Sequence, residues 1–239
     1  MIAWLLLVGA VAFNLYYLFP EVAIRVPALN DDILHLLTLQ QTVAAIAAGK
    51  DPTDFWLGQI GFGYPLFHYY QHLPDVIPAV LYALLSRVIR SMPPLDLVLS
   101  WISYLLLSLF PLSIYWSMRR FGFSRIQAAL AGLVASLISA NFIYGLDFGS
   151  YVWAGSGLYT QLWAMVLLPP TLAQGYAALR TGRGFFWAVV LLAATLLCHL
   201  VYGYIALGSL VLIAALVDGP NPLAPFPARE GGTPERGSG

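Results

Sequence analysis

Residues 97–118 read LVLSWISYLLLSLFPLSIYWSM, a stretch without one Asp, Glu, Lys or Arg. A helix rises about 1.5 Å per residue and needs about 20 apolar residues to cross a hydrocarbon core about 30 Å thick. The stretch meets that length, and others match it. Residues 1–20, 126–146, 148–179 and 184–217 are also free of charged side chains. The chain has 239 residues, of which 60% are hydrophobic and 9% charged. An average soluble chain carries about 25% charged residues. Mean hydropathy is +0.78. So few charges cannot cover the surface of a soluble fold. The expected class is all-α integral membrane, a polytopic helical bundle with about five or six spans. The lipid bilayer is then the first partner. The formal net charge is zero, and nothing points to nucleic acid.

Working outward, residues 2–19 read as the first span. Ala10-Val11-Ala12 resembles a cleavage site, but no basic segment precedes it, so an uncleaved span is expected. Residues 20–94 differ, with charges of both signs, several prolines and many aromatics. Two short helical runs stand out there. Leu29–Ala48 ends at Gly49, and Val76–Arg90 is bounded by Pro74 and Pro93-Pro94. Further apolar runs follow at Leu95–Met118, Ser124–Leu146, Tyr159–Leu179 and Phe185–Val217. As one helix, the charge-free stretch 184–217 would be about 51 Å long. His199 and Gly203 lie near its middle, which predicts two short helices turning at Cys198–Gly203. Cys198 is the single cysteine, so no intrachain disulfide exists.

A helix over Val76–Arg90 reaches only about 22 Å, too short to cross. Let it lie on the outer face, with the N-terminus cytoplasmic. Arg119, Arg120, Arg125, Arg180 and Arg183 then all fall inside, while Asp31, Asp32, Asp51, Asp54, Asp75 and Asp147 fall outside. The positive-inside rule favours this arrangement. The expectation is a multi-pass protein of the inner (cytoplasmic) cell membrane, with residues 20–94 as one large external loop carrying juxtamembrane helices. Residues 1–217 form the membrane module. The tail 218–239, rich in Pro, Gly and charge, reads as disordered.

The first helix of the loop carries the densest chemistry. It begins Asn30-Asp31-Asp32-Ile33-Leu34-His35. At 100° per residue, Asp31, His35, Thr38 and Thr42 share one stripe on an otherwise apolar helix. A carboxylate and an imidazole one turn apart could deprotonate a hydroxyl or hold a cation. Asn-Asp-Asp is equally a good helix start, with the acids facing the positive dipole end.

Next comes GQIGFGYPLFHYYQHLP, residues 58–74. No lysine follows the glycines, so this is not a phosphate loop. Tyr64, His68, Tyr70 and His72, with the neighbouring aromatics, suit stacking on sugar rings; an aromatic belt at the membrane surface has the same composition. His68 and His72 have i, i+4 spacing, but the adjacent proline argues against zinc, and no dedicated metal site is expected. Asp147 stands in a later outer loop, where simple solvation is the alternative. His199 lies within a membrane segment, where ionisable residues are functional candidates, although a bond to a helix carbonyl would also account for it.

Together these residues resemble the N-terminal membrane module of C-type (GT-C) glycosyltransferases. The resemblance is carried by DDILH, by GFGYPLFHYYQHLP about twenty-five residues later, by a span ending Arg-Arg-Phe-Gly, by Tyr144-Gly145-Leu146-Asp147 and by Cys198-His199-Leu200. Within that class the pattern is similar to a bacterial branch labelled "6-pyruvoyl-tetrahydropterin synthase-related membrane protein"; nothing in the chain resembles a soluble pterin enzyme. The resemblance covers roughly residues 1–217. It implies transfer of a sugar from a polyprenyl-phosphate donor to an acceptor on the outer face. The implied general base is Asp31 or Asp32, with His35 beside it. Tyr64, His68, Tyr70, His72, Asp147 and His199 become substrate-binding candidates, and Arg87 or Arg90 could face the departing phosphate. A divalent cation is left open. Related proteins often carry Tyr-x-Pro-Leu-Pro where this chain has Tyr70-Gln71-His72-Leu73-Pro74, so the turn geometry there is not carried over. Such enzymes usually have more spans and often a C-terminal soluble domain, so a fragment is expected. Two other classes compete, a transporter or flippase subunit and a non-catalytic membrane scaffold. The spans lack the buried charges and paired broken helices of the former, and the acidic pair argues against the latter.

Overall fold

The computed structural model describes residues 1–23, 31–59, 61–136, 139–140, 144–145 and 159–216. Apart from one two-residue ladder and one 3-10 turn, the regular structure among them is helical. The helices are α1 (Ile2–Tyr17), α2 (Pro20–Ala23), α3 (Asp31–Ala47), α4 (Leu73–Leu85), α5 (Leu95–Phe121), α6 (Arg125–Ser136), α7 (Tyr159–Thr181), α8 (Phe185–Cys198) and α9 (Leu200–Leu216). The 3-10 turn is Leu66–His68, and strands β1 (Ser139–Ala140) and β2 (Tyr144–Gly145) pair antiparallel.

Among the described residues, α5 and α7 are the two helices long and apolar enough to cross a membrane. Their rise is about 41 Å and about 35 Å. Helix α5 starts behind Pro93-Pro94, carries Asp96 in its first turn and Arg119 and Arg120 in its last, and stops at Gly122 in the left-handed region (φ 103°). Each of these features suits that end of a helix. Only 28% of its apolar stretch is buried. Trp101, Leu105, Leu109, Leu112 and Trp116 face outward, as do Trp4, Leu5 and Val8 on α1 and Val201, Ile205 and Leu212 on α9.

Several expected boundaries shift. The run Ser124–Leu146 does not form one span: α6 stops at Ser136, and the β1–β2 ladder follows. Ser136, Ser139 and Asn141 are poor helix formers, and Ile138, Phe142, Ile143 and Tyr144 favour extended backbone. Helix α4 runs Leu73–Leu85 rather than Val76–Arg90. Pro74 suits a first turn, where no N–H is needed, and Asp75 complements the dipole there. Ser86 donates its hydroxyl to the Ala83 carbonyl (2.9 Å) just past the helix end. The last run breaks at His199, whose backbone is extended (φ −158°, ψ 116°). Helix α9 then packs back on α8, so closely that a Cβ on Gly203 would stand 2.7 Å from Leu196 Cα.

Three of the four helix-interior prolines among the described residues, Pro78, Pro111 and Pro170, share a consequence. A proline has no N–H, so the carbonyl four residues earlier loses its partner. Pro111 frees the Leu107 carbonyl, and Asn14 of α1 donates to it (3.2 Å). Pro170 frees the Val166 carbonyl, and Ser113 of α5 donates to it (2.6 Å). Pro78 frees the Pro74 carbonyl, and Tyr159 of α7 donates to it (3.0 Å). Each repair ties two helices together. Such repair is needed where water cannot reach the freed group.

The core between α1, α2, α5 and α7 is built from Leu18, Val22, Tyr104, Leu107, Leu162 and Met165. At one end, Arg120 donates to Gln174 (3.0 Å), and Gln174 donates to the Gly184 carbonyl (3.0 Å). The C-terminal ends of α5 and α7 and the start of α8 therefore meet. The start of α7 lies at the opposite end, against α3 and α4.

Candidate functional site

At that opposite end, the polar stripe of α3 turns inward. His35, Thr38 and Thr42 are all buried. Thr38 and Thr42 donate to the carbonyls of Leu34 and Thr38 one turn back (2.7 and 2.8 Å), which satisfies their hydroxyls within the helix. His35 has no such local outlet. Its Nδ1 lies 3.4 Å from Oδ1 of Asp75 on α4, and both side chains are 1% exposed. Ring contacts brace the imidazole, at 5.1 Å from Tyr159 and 6.0 Å from Tyr70. His35 Nε2 and Asp75 Oδ2 are buried and have no hydrogen-bond partner among the described residues.

The backbone of α4 holds Asp75 in place. Tyr159 pins the carbonyl of Pro74, the residue before it, and Tyr70 reaches Thr160 with a hydroxyl–hydroxyl contact of 3.3 Å. Elements α3, α4, α7 and the loop ahead of α4 therefore converge on one imidazole–carboxylate pair. Burial pushes the Asp75 carboxyl above the ordinary value of 3.8, while the hydrogen bond and charge of His35 pull the other way. In the sequence, Asp75 shows only as a charge of the external loop. Its one signal was its place in the first turn of a helix opened by Pro74, which indicates a dipole partner and not burial.

The remaining candidates divide. Tyr70 joins the pair directly. His72 occupies the N-cap position of α4 without a capping bond from its side chain, and its ring meets Phe67 edge-on at 5.9 Å. Tyr64 pairs with Leu57 across an antiparallel bridge that closes the glycine-rich turn. Inside that turn Gly63 (φ 87°) lies under Trp56, whose Nε1 occupies the place a Cβ would take. His68 faces outward and meets Asp54 at 3.1 Å; both are more than half exposed, so the pair contributes little. Asp32 is half-buried in the first turn of α3. Asp31 opens α3, but its side chain, like the whole of Asp147, lies outside the described residues. The ring of His199 lies edge-on to Tyr202 at 5.3 Å. Tyr202 accepts a hydrogen bond from Gln161 (3.2 Å), two residues along α7 from Tyr159. His199 Nδ1 is buried and has no hydrogen-bond partner among the described residues. Among the described residues, no three His, Cys, Asp or Glu side chains are grouped to hold a metal ion.

Chemically, the described site offers a buried imidazole with one nitrogen engaged, a carboxylate and two tyrosines. This set can accept and hold a proton. Comparison with family models, curated proteins and solved structures finds no match for the chain.

Proposed function

We propose that this chain is the membrane module of a GT-C type glycosyltransferase, akin to the bacterial branch its motifs resemble. In this reading it crosses the inner membrane about five or six times, with its N-terminus in the cytoplasm and residues 20–94 outside. The outward-facing apolar side chains of α1, α5, α8 and α9 support a lipid-exposed bundle. The gathering of Arg120, Gln174 and Gly184 at one end supports the orientation, since the other four arginines of that side are near in sequence. At about 20 Å, α4 suits a helix lying at the outer surface.

A sugar leaves a polyprenyl phosphate with its leaving group already activated. The protein must orient the acceptor hydroxyl, take its proton late and stabilise the departing phosphate. Asp31 or Asp32, with His35, is assigned the proton. The aromatic loop Tyr64–His72 is assigned the sugar, and Arg87 or Arg90 the phosphate. One observation carries this reading: the DDILH helix turns its histidine away from water, into a polar cluster shared with α4, α7 and Tyr70.

The test is sugar transfer in membranes from cells making the full protein, supplied with a panel of radiolabelled polyprenyl-phosphate sugars. Protein-dependent loss of label from the lipid fraction into an acceptor is expected. Movement of the lipid-linked sugar across vesicles without transfer would replace this reading with a flippase.

A further inference from the structure

The Asp75–His35 pair has a property that neither residue has alone. An imidazole approached at Nδ1 by a carboxylate is met by a group that only accepts hydrogen bonds. The proton then sits on Nδ1, and in the neutral ring the lone pair sits on Nε2. Among the described residues, no group engages Nε2, although it is fully buried. The ring cannot easily turn to exchange the two nitrogens. Tyr159 and Tyr70 lie against it, and Tyr159 also fixes the backbone of α4 beside Asp75.

We propose that Asp75 is a positioning residue that fixes His35 as the Nδ1–H tautomer and so makes Nε2 the proton-accepting atom of the site. The part of this inference that concerns sugar transfer rests on the function proposed above. In that reaction the acceptor oxygen bonds to the anomeric carbon. The carbon–oxygen bond to phosphate breaks, and the electron pair leaves with the phosphate. The hydroxyl proton leaves the acceptor oxygen and ends on Nε2. The resulting imidazolium is held by the Asp75 carboxylate, as in other carboxylate-oriented imidazoles.

The full chain, labelled with ¹⁵N-histidine and reconstituted in lipid nanodiscs, reports the tautomer directly by NMR. Loss of a signal in His35→Gln assigns it among the four histidines. At neutral pH, His35 is expected to show a protonated Nδ1 and an unprotonated Nε2. Asp75→Asn should abolish that signature and Asp75→Glu should retain it; a purely structural role would not move the tautomer. In a transferase assay Asp75→Asn should lower kcat about 10²–10⁴-fold with KM little changed. A protonated Nε2 in the wild-type protein overturns the proposal even if no Asp75 variant folds. So does a tautomer unchanged in Asp75→Asn. The expected signature in a protein that transfers no sugar supports the pair and overturns the glycosyltransferase reading.

Discussion

The hydroxyl of Tyr159 donates at 3.0 Å to the carbonyl of Pro74, the group that Pro78 leaves without its helical partner. This bond joins α7 to α4 one residue from Asp75. The same device recurs where Asn14 serves the carbonyl freed by Pro111 and where Ser113 serves the one freed by Pro170. In each case a helix defect becomes a tie between helices.

A double-mutant cycle tests this device. Tyr159→Phe should cost about 1–3 kcal/mol, because a buried carbonyl loses the hydroxyl that donates to it. In a Pro78→Ala background the restored backbone N–H at position 78 can serve Pro74, and most of that cost should vanish. Thermal unfolding in detergent measures all four corners. Additive costs would mean that the tyrosine does not compensate for the proline.

Two glycines at helix contacts should differ in their tolerance of a methyl group. A Cβ on Gly203 would meet Leu196 Cα at 2.7 Å, a backbone atom that cannot step aside. A Cβ on Gly175 would meet Leu210 Cδ2 at 2.3 Å, the flexible end of a side chain. Gly203→Ala should therefore destabilise by about 1–3 kcal/mol, the cost of overpacking, and Gly175→Ala by clearly less. Thermal midpoints of the two variants decide the order.

Stability should fall with rising pH across one window. Burial raises the Asp75 carboxyl above 3.8, so the folded protein holds this proton more tightly than the unfolded chain. This contribution is fully present below 3.8 and is lost as pH rises through the raised folded value. Asp75→Asn cannot titrate, so the decline should be smaller in its pH–stability curve. An identical decline in both proteins would assign the effect to another group.

Membrane orientation is open to labelling. In a Cys198→Ala background, a cysteine at position 54 should react with an impermeant maleimide from outside the cell, and one at position 183 only after the membrane is opened. Reaction of position 54 only from the cytoplasmic side would invert the topology.

Helix positions were largely legible in the sequence, because charge-free runs and their flanking signals are local. Asp31 and Ala47 bound α3 within two residues of the expected run, and His199 breaks the last run where its excess length demanded a turn. The length of α6 was not legible. Hydropathy counts apolar residues and does not register that those after Ser136 favour extended backbone. That His35, Thr38 and Thr42 share one side of α3 was also legible, but the direction of that side was not: periodicity places residues on one face without saying what covers it. The partner of His35 was the least legible, since Asp75 lies forty residues away in a segment whose charge alone stood out. Its burial depends on α3, α4 and α7 meeting, and no single stretch encodes that.

The central claim is that the α3 acid pair and His35 take a proton in sugar transfer, and the Asp31→Asn/Asp32→Asn double variant tests it most directly. Asn keeps most of the capping ability of Asp, so folding and membrane insertion should be little changed. It cannot take a proton at neutral pH, so transfer from a polyprenyl-phosphate sugar should fall about 10²–10⁴-fold. The single variants would then show which aspartate acts. A double variant that inserts normally and transfers sugar at the wild-type rate would contradict the account, leaving Asp31 and Asp32 as the start of a helix and nothing more.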